Sequence, residues 1–365
     1  MKTSIQGRVG ATTLINGKFL DVFAGTGYLG LQSHPRVIRA AADCLEQYGV
    51  SSTIPRGGLG EHPVYAELET RAAEFFGAEK ASLFASGYLG PSFLAQSTAT
   101  LYDVIFIDSD AHFSIWDAAQ GTNKPIFVFH HRDPDDLERQ LAAHLKPNER
   151  PLVFTDGVFP ISGEIAPLDA YLPLIENLSG RIFVDDAHAG GVLGPHGRGT
   201  TDYFALPDGV VRSCVTLSKA FGTGGGLIYG TRGWVEALEK ASRISAGASS
   251  IPLAMAAAAA ASLQIAREEP SLREQLWRNV SKAKQGMREI GFAMDDSPVP
   301  ILCIPAQAGL NLIAVRDRLF DRGIAVEWVQ QYTSVPAGGA LRIAIFATHS
   351  ESQIRRLIDE LSHLI

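Results

Sequence analysis

The chain has 365 residues, 46% of them hydrophobic and 19% charged, with a formal net charge of −7. This balance argues against a disordered chain and advertises no basic surface for nucleic acid. The length gives room for about two or three subdomains. Three scattered cysteines, Cys44, Cys214 and Cys303, argue against a disulfide framework or a zinc cluster, so no metal is expected.

In chain order, "MKTSIQGRVG" lacks an apolar signal core, which together with the cysteines points to the cytoplasm. In "TTLINGKFLDVF" two alternating runs flank Asn16-Gly17, a strong hairpin signal because both residues tolerate positive φ. "PRVIRAAADCLEQYG" and "HPVYAELETRAAEFFG" read as helices ended by Gly49 and Gly77. Then come "KASLFAS", "DVIFIDS", "PIFVFHH", "PLVFTDG", "RIFVDDAH" and "SCVTLS", short Val/Ile/Phe-rich runs without clean alternation. That is the pattern of strands buried on both faces. With helical stretches such as "DPDDLERQLAAHL" between them, they predict a parallel α/β sheet covered on both sides. "IPLAMAAAAAA" is too short to span a bilayer and reads as a buried helix. After Pro270 come a helix, short strands and the last helix "SESQIRRLIDELSHLI", a smaller α+β unit.

Open α/β sheets bind ligands beyond the carboxyl ends of their strands, so the residues that follow each apolar run carry the most weight. In "IFVDDAH", Asp185 follows the run directly and His188 comes three residues later. The carboxylate suits a cationic ring nitrogen, a metal or a ribose hydroxyl, and equally a turn cap. In "TLSKAFGTGGG", Lys219 precedes the glycines, which excludes a P-loop and fits a Rossmann fingerprint poorly. Such a lysine can form a Schiff base while nearby hydroxyls hold a phosphate, or it can be a solvated turn residue. "FASGYLG" offers the Ser86-Gly87-Tyr88 turn, whose backbone N–H groups suit an anion, as in many βα turns. His112 in "DSDAHFS" can stack on a flat ring or simply pack. Together they meet one requirement. Pyridoxal 5′-phosphate (PLP) needs a lysine, an acid for its ring nitrogen, a phosphate cup and a flat group on its face.

The chain resembles the α-oxoamine synthase family of fold-type I PLP enzymes. The resemblance runs from "GYLGLQSHP" to "LRIAIFATHS" through "TDGVFPISGEIAPL", "VDDAHAGGVLGPHGRG" and "TLSKAFG", in the family's order. It implies an aspartate aminotransferase-like fold with a hairpin arm (residues 1–35), a large, mostly parallel PLP-binding α/β domain (36–255) and a small α+β domain (256–365). Lys219 would carry the cofactor, Asp185 would pair with its ring nitrogen, His188 would bond its ring hydroxyl and His112 would stack on it. Thr216, Ser218, Ser86 and the backbone at Gly87 and Tyr88 would hold the phosphate. Ser249 and Ser250 in "GASSIPLA" would complete that site in a neighbouring subunit of a homodimer. Arg342 would bind the substrate carboxylate; without the resemblance it reads as a surface charge on an edge strand.

The implied reaction joins an amino acid to an acyl-CoA or another acyl thioester, with loss of carbon dioxide, to give an α-aminoketone. Departures from the family pattern at Gly27, Gly90, Pro160 and Gln330–Gln331 are expected on the substrate side. They leave open aminotransferase, aldolase, lyase or racemase chemistry without a thioester. A non-catalytic binding role is the third reading, disfavoured by the intact lysine and aspartate.

Overall fold

The computed structural model describes residues 3–56, 59–207 and 209–365; the first two residues of the expected arm, Met1 and Lys2, lie outside them. Its strands are β1 (Thr12–Ile15), β2 (Lys18–Val22), β3 (Lys80–Phe84), β4 (Val104–Asp108), β5 (Ile126–Phe129), β6 (Pro151–Asp156), β7 (Arg181–Asp185), β8 (Val211–Thr216), β9 (Gly226–Gly230), β10 (Ile301–Pro305), β11 (Ile324–Ala325), β12 (Glu327–Val329) and β13 (Ala340–Ala344).

The main sheet has the order β3-β9-β8-β7-β6-β4-β5. Its run from β8 to β5 is parallel, as the continuous apolar segments predict. Alternate residues of one strand serve opposite cores: Val104 and Phe106 pack with Leu137, Leu168 and Ile175, while Ile105 and Ile107 pack with Phe93, Leu94 and Ile115. All four strand residues are almost fully buried, so no polar face interrupts the run. The strand not foreseen is β9, antiparallel to both β8 and β3. It begins in the glycine cluster and has Gly226 and Gly230 at its ends.

The alanine-rich segment is the helix Leu253–Glu268, packed against the helices Pro35–Tyr48 and Pro63–Phe76. Buried Ala256, Ala258, Ala259 and Ala260 supply its small-residue surface. The expected division at 255/256 cuts this helix, whose packing belongs with the first two helices. The break in architecture comes at Pro270, where the helix Ser271–Glu289 begins. Among the described residues no helix is long and apolar enough to cross a membrane.

The C-terminal lobe carries an antiparallel sheet of order β10-β13-β12. The hairpin turns at Asn16 (φ 49°) and Gly17 (φ 76°) as expected. It does not stand free as an arm, because β2 pairs in parallel with β11. The segment after it is tied to the same lobe by Ala344 N–H to Phe23 O and Ala347 N–H to Tyr28 O, both 2.8 Å.

Candidate active site

Three adjacent strands deliver charge to one edge of the main sheet. Asp156 ends β6, Asp185 ends β7 in register with it, and β8 runs out at Thr216, three residues before Lys219. Asp185 accepts hydrogen bonds from Ala187 N–H (3.0 Å) and Ser114 Oγ (3.4 Å). Asp156 accepts one from His112 N–H (2.7 Å). Burial raises both carboxyls, and the Asp185 charge raises Asp156 further; Lys219 and His112 pull Asp185 back down. Burial brings the Lys219 amine down to about 8, although both carboxylates oppose the shift. At pH 7 that raises the neutral, nucleophilic fraction about 300-fold over an ordinary lysine. Reductive labelling of the unliganded protein with a small aldehyde should therefore modify Lys219 with a pH midpoint near 8. A midpoint near that of the surface lysines would contradict this.

His112 caps the helix Phe113–Gln120, its Nδ1 accepting from Ser114 N–H (3.2 Å). Burial lowers its pKa, so the neutral ring keeps its proton on Nε2 and donates to Tyr332 Oη (2.7 Å). Tyr88 meets the His112 ring edge-on at 5.9 Å. His188 is buried, and burial plus the Lys219 charge hold it well below the usual histidine range. Its Nδ1 accepts from Tyr28 Oη (2.7 Å), and that same hydroxyl accepts from Arg342 Nη2 (3.2 Å). Burial pushes the Tyr28 phenol up to about 12, against the pull of Arg342.

The Ser86 turn is a single 3₁₀ turn, Gly87–Leu89, with Ser86 Oγ accepting Tyr88 N–H (3.3 Å). A Cβ at Gly87 would lie 2.4 Å from the Thr216 Cβ, so only glycine lets the turn meet the end of β8. Thr216 Oγ1 lies 2.8 Å from Ser218 Oγ. The turn and both hydroxyls thus come together beside Lys219. Ser249 and Ser250 do not join them: among the described residues neither bonds to this group. They line, with Phe84 and Ala85, a separate cleft of about 850 Å³.

Arg342 corrects the edge-strand reading. β13 is the central strand of its sheet, and Arg342 is 3% exposed. Its Nε donates to Pro160 O (2.8 Å), and its Nη1 to Gly25 O (3.0 Å) and Glu327 Oε2 (3.2 Å). Pro160 therefore meets Arg342 through its carbonyl. Gly90 is also corrected: it is buried, and a Cβ there would lie 2.7 Å from Cys214 Sγ, so it is a packing residue and not a substrate-side one. At Gly27 the space a Cβ would need is filled by the Gln32 side chain. Gln330 and Gln331 are exposed.

Three residues that sequence reasoning passed over belong to the group. Asp156 lies inside "TDGVFPISGEIAPL", and its signal was a second carboxylate at a strand end. Tyr28 and Tyr332 lie inside motif stretches but carry no local mark. Nearby, Asp108, Asp110 and His131 place ligand-type atoms within 4.8 Å of one another. His131 is held by Asp108 (2.8 Å) and Glu164 (3.1 Å). Burial opposes its charge, but these two bonds outweigh it and push its pKa up to about 9. A ring that holds a proton on both nitrogens serves as an ion-pair strut for the loop bearing Pro160.

The aminotransferase class I and II family model matches residues 24–361. An 8-amino-7-oxononanoate synthase of Thermoanaerobacter pseudethanolicus is 32% identical over 96% of this chain and 89% of its own. A putative 8-amino-7-oxononanoate synthase of Caulobacter vibrioides is 37% identical over 97% and 91%. Among solved structures, the Sphingomonas wittichii serine palmitoyltransferase superposes with a TM-score of 0.91 at 27% identity, over 99% of this chain and 91% of that one. The chain belongs to the aminotransferase class I and II family and, within it, to the α-oxoamine synthases.

Proposed function

We propose that the protein is a PLP-dependent acyltransferase that condenses an amino acid with an acyl thioester, with loss of carbon dioxide, to give an α-aminoketone. The observation that carries this is Lys219 set in the field of two buried strand-end carboxylates, with the Arg342 charge of the C-terminal lobe acting on the same amine. Relatives named 8-amino-7-oxononanoate synthase and serine palmitoyltransferase support the amino acid and acyl thioester as substrates.

The residues fit the cofactor. A buried carboxylate suits a ring nitrogen, and the close approach that Gly87 permits leaves a cradle by two hydroxyls for a phosphate. When bound, PLP supplies an aldehyde to hold the substrate amine and an electron-withdrawing ring to take up charge from Cα. Lys219 would anchor the cofactor and, as a neutral amine, would move the Cα proton. Asp185 would keep the ring nitrogen protonated. The neutral His112, oriented by Tyr332 and Ser114, would pack against the ring, and His188, keeping a proton on Nε2, would hydrogen-bond its hydroxyl. Arg342 grips the substrate carboxylate and so sets which Cα bond faces the ring.

Thiol release and α-hydrogen exchange should be followed together, with alanine, glycine and serine against a panel of acyl-CoAs. Thiol release that needs both substrates is the expected result. Exchange or amino transfer with no thiol released from any acyl-CoA would favour aminotransferase, lyase or racemase chemistry instead.

A homodimer is part of this reading, with Ser249 and Ser250 reaching the phosphate of the partner subunit. Val50 (68% exposed) and Leu59 (93% exposed) support it as apolar surface in need of a cover. Sedimentation at assay concentration should show one species of about 78 kDa, twice the 39.2 kDa chain; an active monomer would rule this out. The free cysteines support the cytoplasm as its compartment.

A further inference from the structure

We propose that Glu327 is a built-in carboxylate that holds the place of the substrate carboxylate on Arg342 and is displaced when the amino acid binds. This rests on the reading of Arg342 as the carboxylate-binding residue.

A guanidinium has five N–H donors. In Arg342 one goes to Pro160 O, two on Nη1 go to Gly25 O and Glu327 Oε2, and one on Nη2 goes to Tyr28 Oη. Four of the five therefore have partners among the described residues, and a two-pronged grip on an incoming carboxylate needs at least one of them released. The partners are not equally easy to release. Pro160 O and Gly25 O are backbone atoms, and Tyr28 is fully buried and also bound to His188. Glu327 differs on both counts: its side chain is 42% exposed while that of Arg342 is 3% exposed. Its second oxygen accepts Gly25 N–H (3.2 Å), so the carboxylate bridges the two residues. It also borders a cleft of about 560 Å³ lined by Ile15, Ala24, Phe320 and Trp328, which gives it room to swing. Among the described residues Glu327 is thus the one anionic partner of Arg342 and the one free to leave.

The consequence is competition between like groups. With Glu327 in place, a ligand without a carboxylate loses nothing, whereas an amino acid must first displace an ion pair. Removing the charge should tighten amino-acid binding by about tenfold, the order for one half-exposed charge-assisted hydrogen bond. It should leave the corresponding amine unchanged. A residue that merely orients Arg342 would do the opposite and weaken amino-acid binding when removed.

The test uses the PLP-loaded protein and calorimetric Kd values for alanine, glycine and serine, each beside its amine (ethylamine, methylamine and ethanolamine). Glu327→Gln, which keeps the side-chain shape, and Glu327→Ala should each lower the amino-acid Kd about tenfold and move the amine Kd less than twofold. Unchanged or weaker amino-acid binding in both variants, or an equal gain for the amine, would overturn the proposal. Arg342→Ala separates the two levels. If it abolishes the preference for amino acid over amine while Glu327→Gln gives no gain, only the role of Glu327 fails. If it leaves amino-acid binding intact, the reading of Arg342 fails and takes this proposal with it.

Discussion

Lys219→Ala will lower turnover by at least about 10³-fold and remove the covalent link that borohydride reduction would otherwise fix between cofactor and chain. The size follows from the two jobs given to one amine. It anchors the cofactor, and it is the base for the Cα proton, a role worth about 10²–10⁴ by itself. Among the described residues the nearby groups are already committed: His112 and His188 to Tyr332 and Tyr28, Asp185 to the ring nitrogen in this reading, and Asp156 to the His112 N–H. Peptide mapping after reduction should find the pyridoxyl group on Lys219 in the parent protein and on no residue of the variant. A reducible adduct on another lysine would move the site elsewhere.

Asp185→Asn should cost about 10²–10³ in kcat, the range for losing one aligned electrostatic contact to the charge that develops in the reaction. It should have a separate effect on stability. In the folded, unliganded protein Asp185 and Asp156 hold protons beyond the ordinary carboxyl value of 3.8, because both are buried and Asp156 also feels the Asp185 charge. Their contribution favours the fold below that pH and is lost as pH rises through their raised folded values. From pH 5 to pH 8 these two carboxyls pull the melting temperature of the unliganded parent down, while buried His112, His188 and His349, held below the ordinary histidine value, push it up, so the measurement is the comparison with the variant. Asp185→Asn removes one of the carboxyl pair and its repulsion on the other, so its melting temperature should gain on that of the parent as pH rises across this interval. An equal change in parent and variant would contradict this.

Much of this site was legible because its chemistry sits where local pattern is informative. Asp185 and Lys219 follow apolar runs that could only be buried strands, and Asn16-Gly17 specifies its own turn. β9 escaped because glycines at both of its ends read as loop, and its antiparallel pairing depends on β3, more than a hundred residues earlier in the chain. Without the resemblance, Arg342 reads as an edge-strand surface charge for a related reason. The strand that covers it, β12, has three residues, Glu327–Val329, too few to show a period. Tyr28 and Tyr332 gain their roles only from partners far off in sequence, Arg342 and His112. Gly90 was assigned by position within a motif, whereas its environment is set by Cys214, on β8.

The pairing of β2 with β11 joins the two ends of the chain: the Gly25 carbonyl and Arg342 are 317 residues apart. During synthesis the hairpin is made before its partner strand, which emerges some 300 residues later, about 15–60 s at ordinary ribosomal rates. For that interval Leu20 and Val22 lack Ala325 and Phe320, with which they pack in the finished fold. The main sheet can assemble meanwhile from neighbouring βα units, whose loops are short to close. Docking of the N-terminal hairpin, and with it the seating of Gly25 and Tyr28 on Arg342, is then a late event in folding. A nascent chain stalled before β11 would hold a formed main sheet, with Lys219 and both strand-end carboxylates in place and an open amino-terminal segment for chaperones to grip.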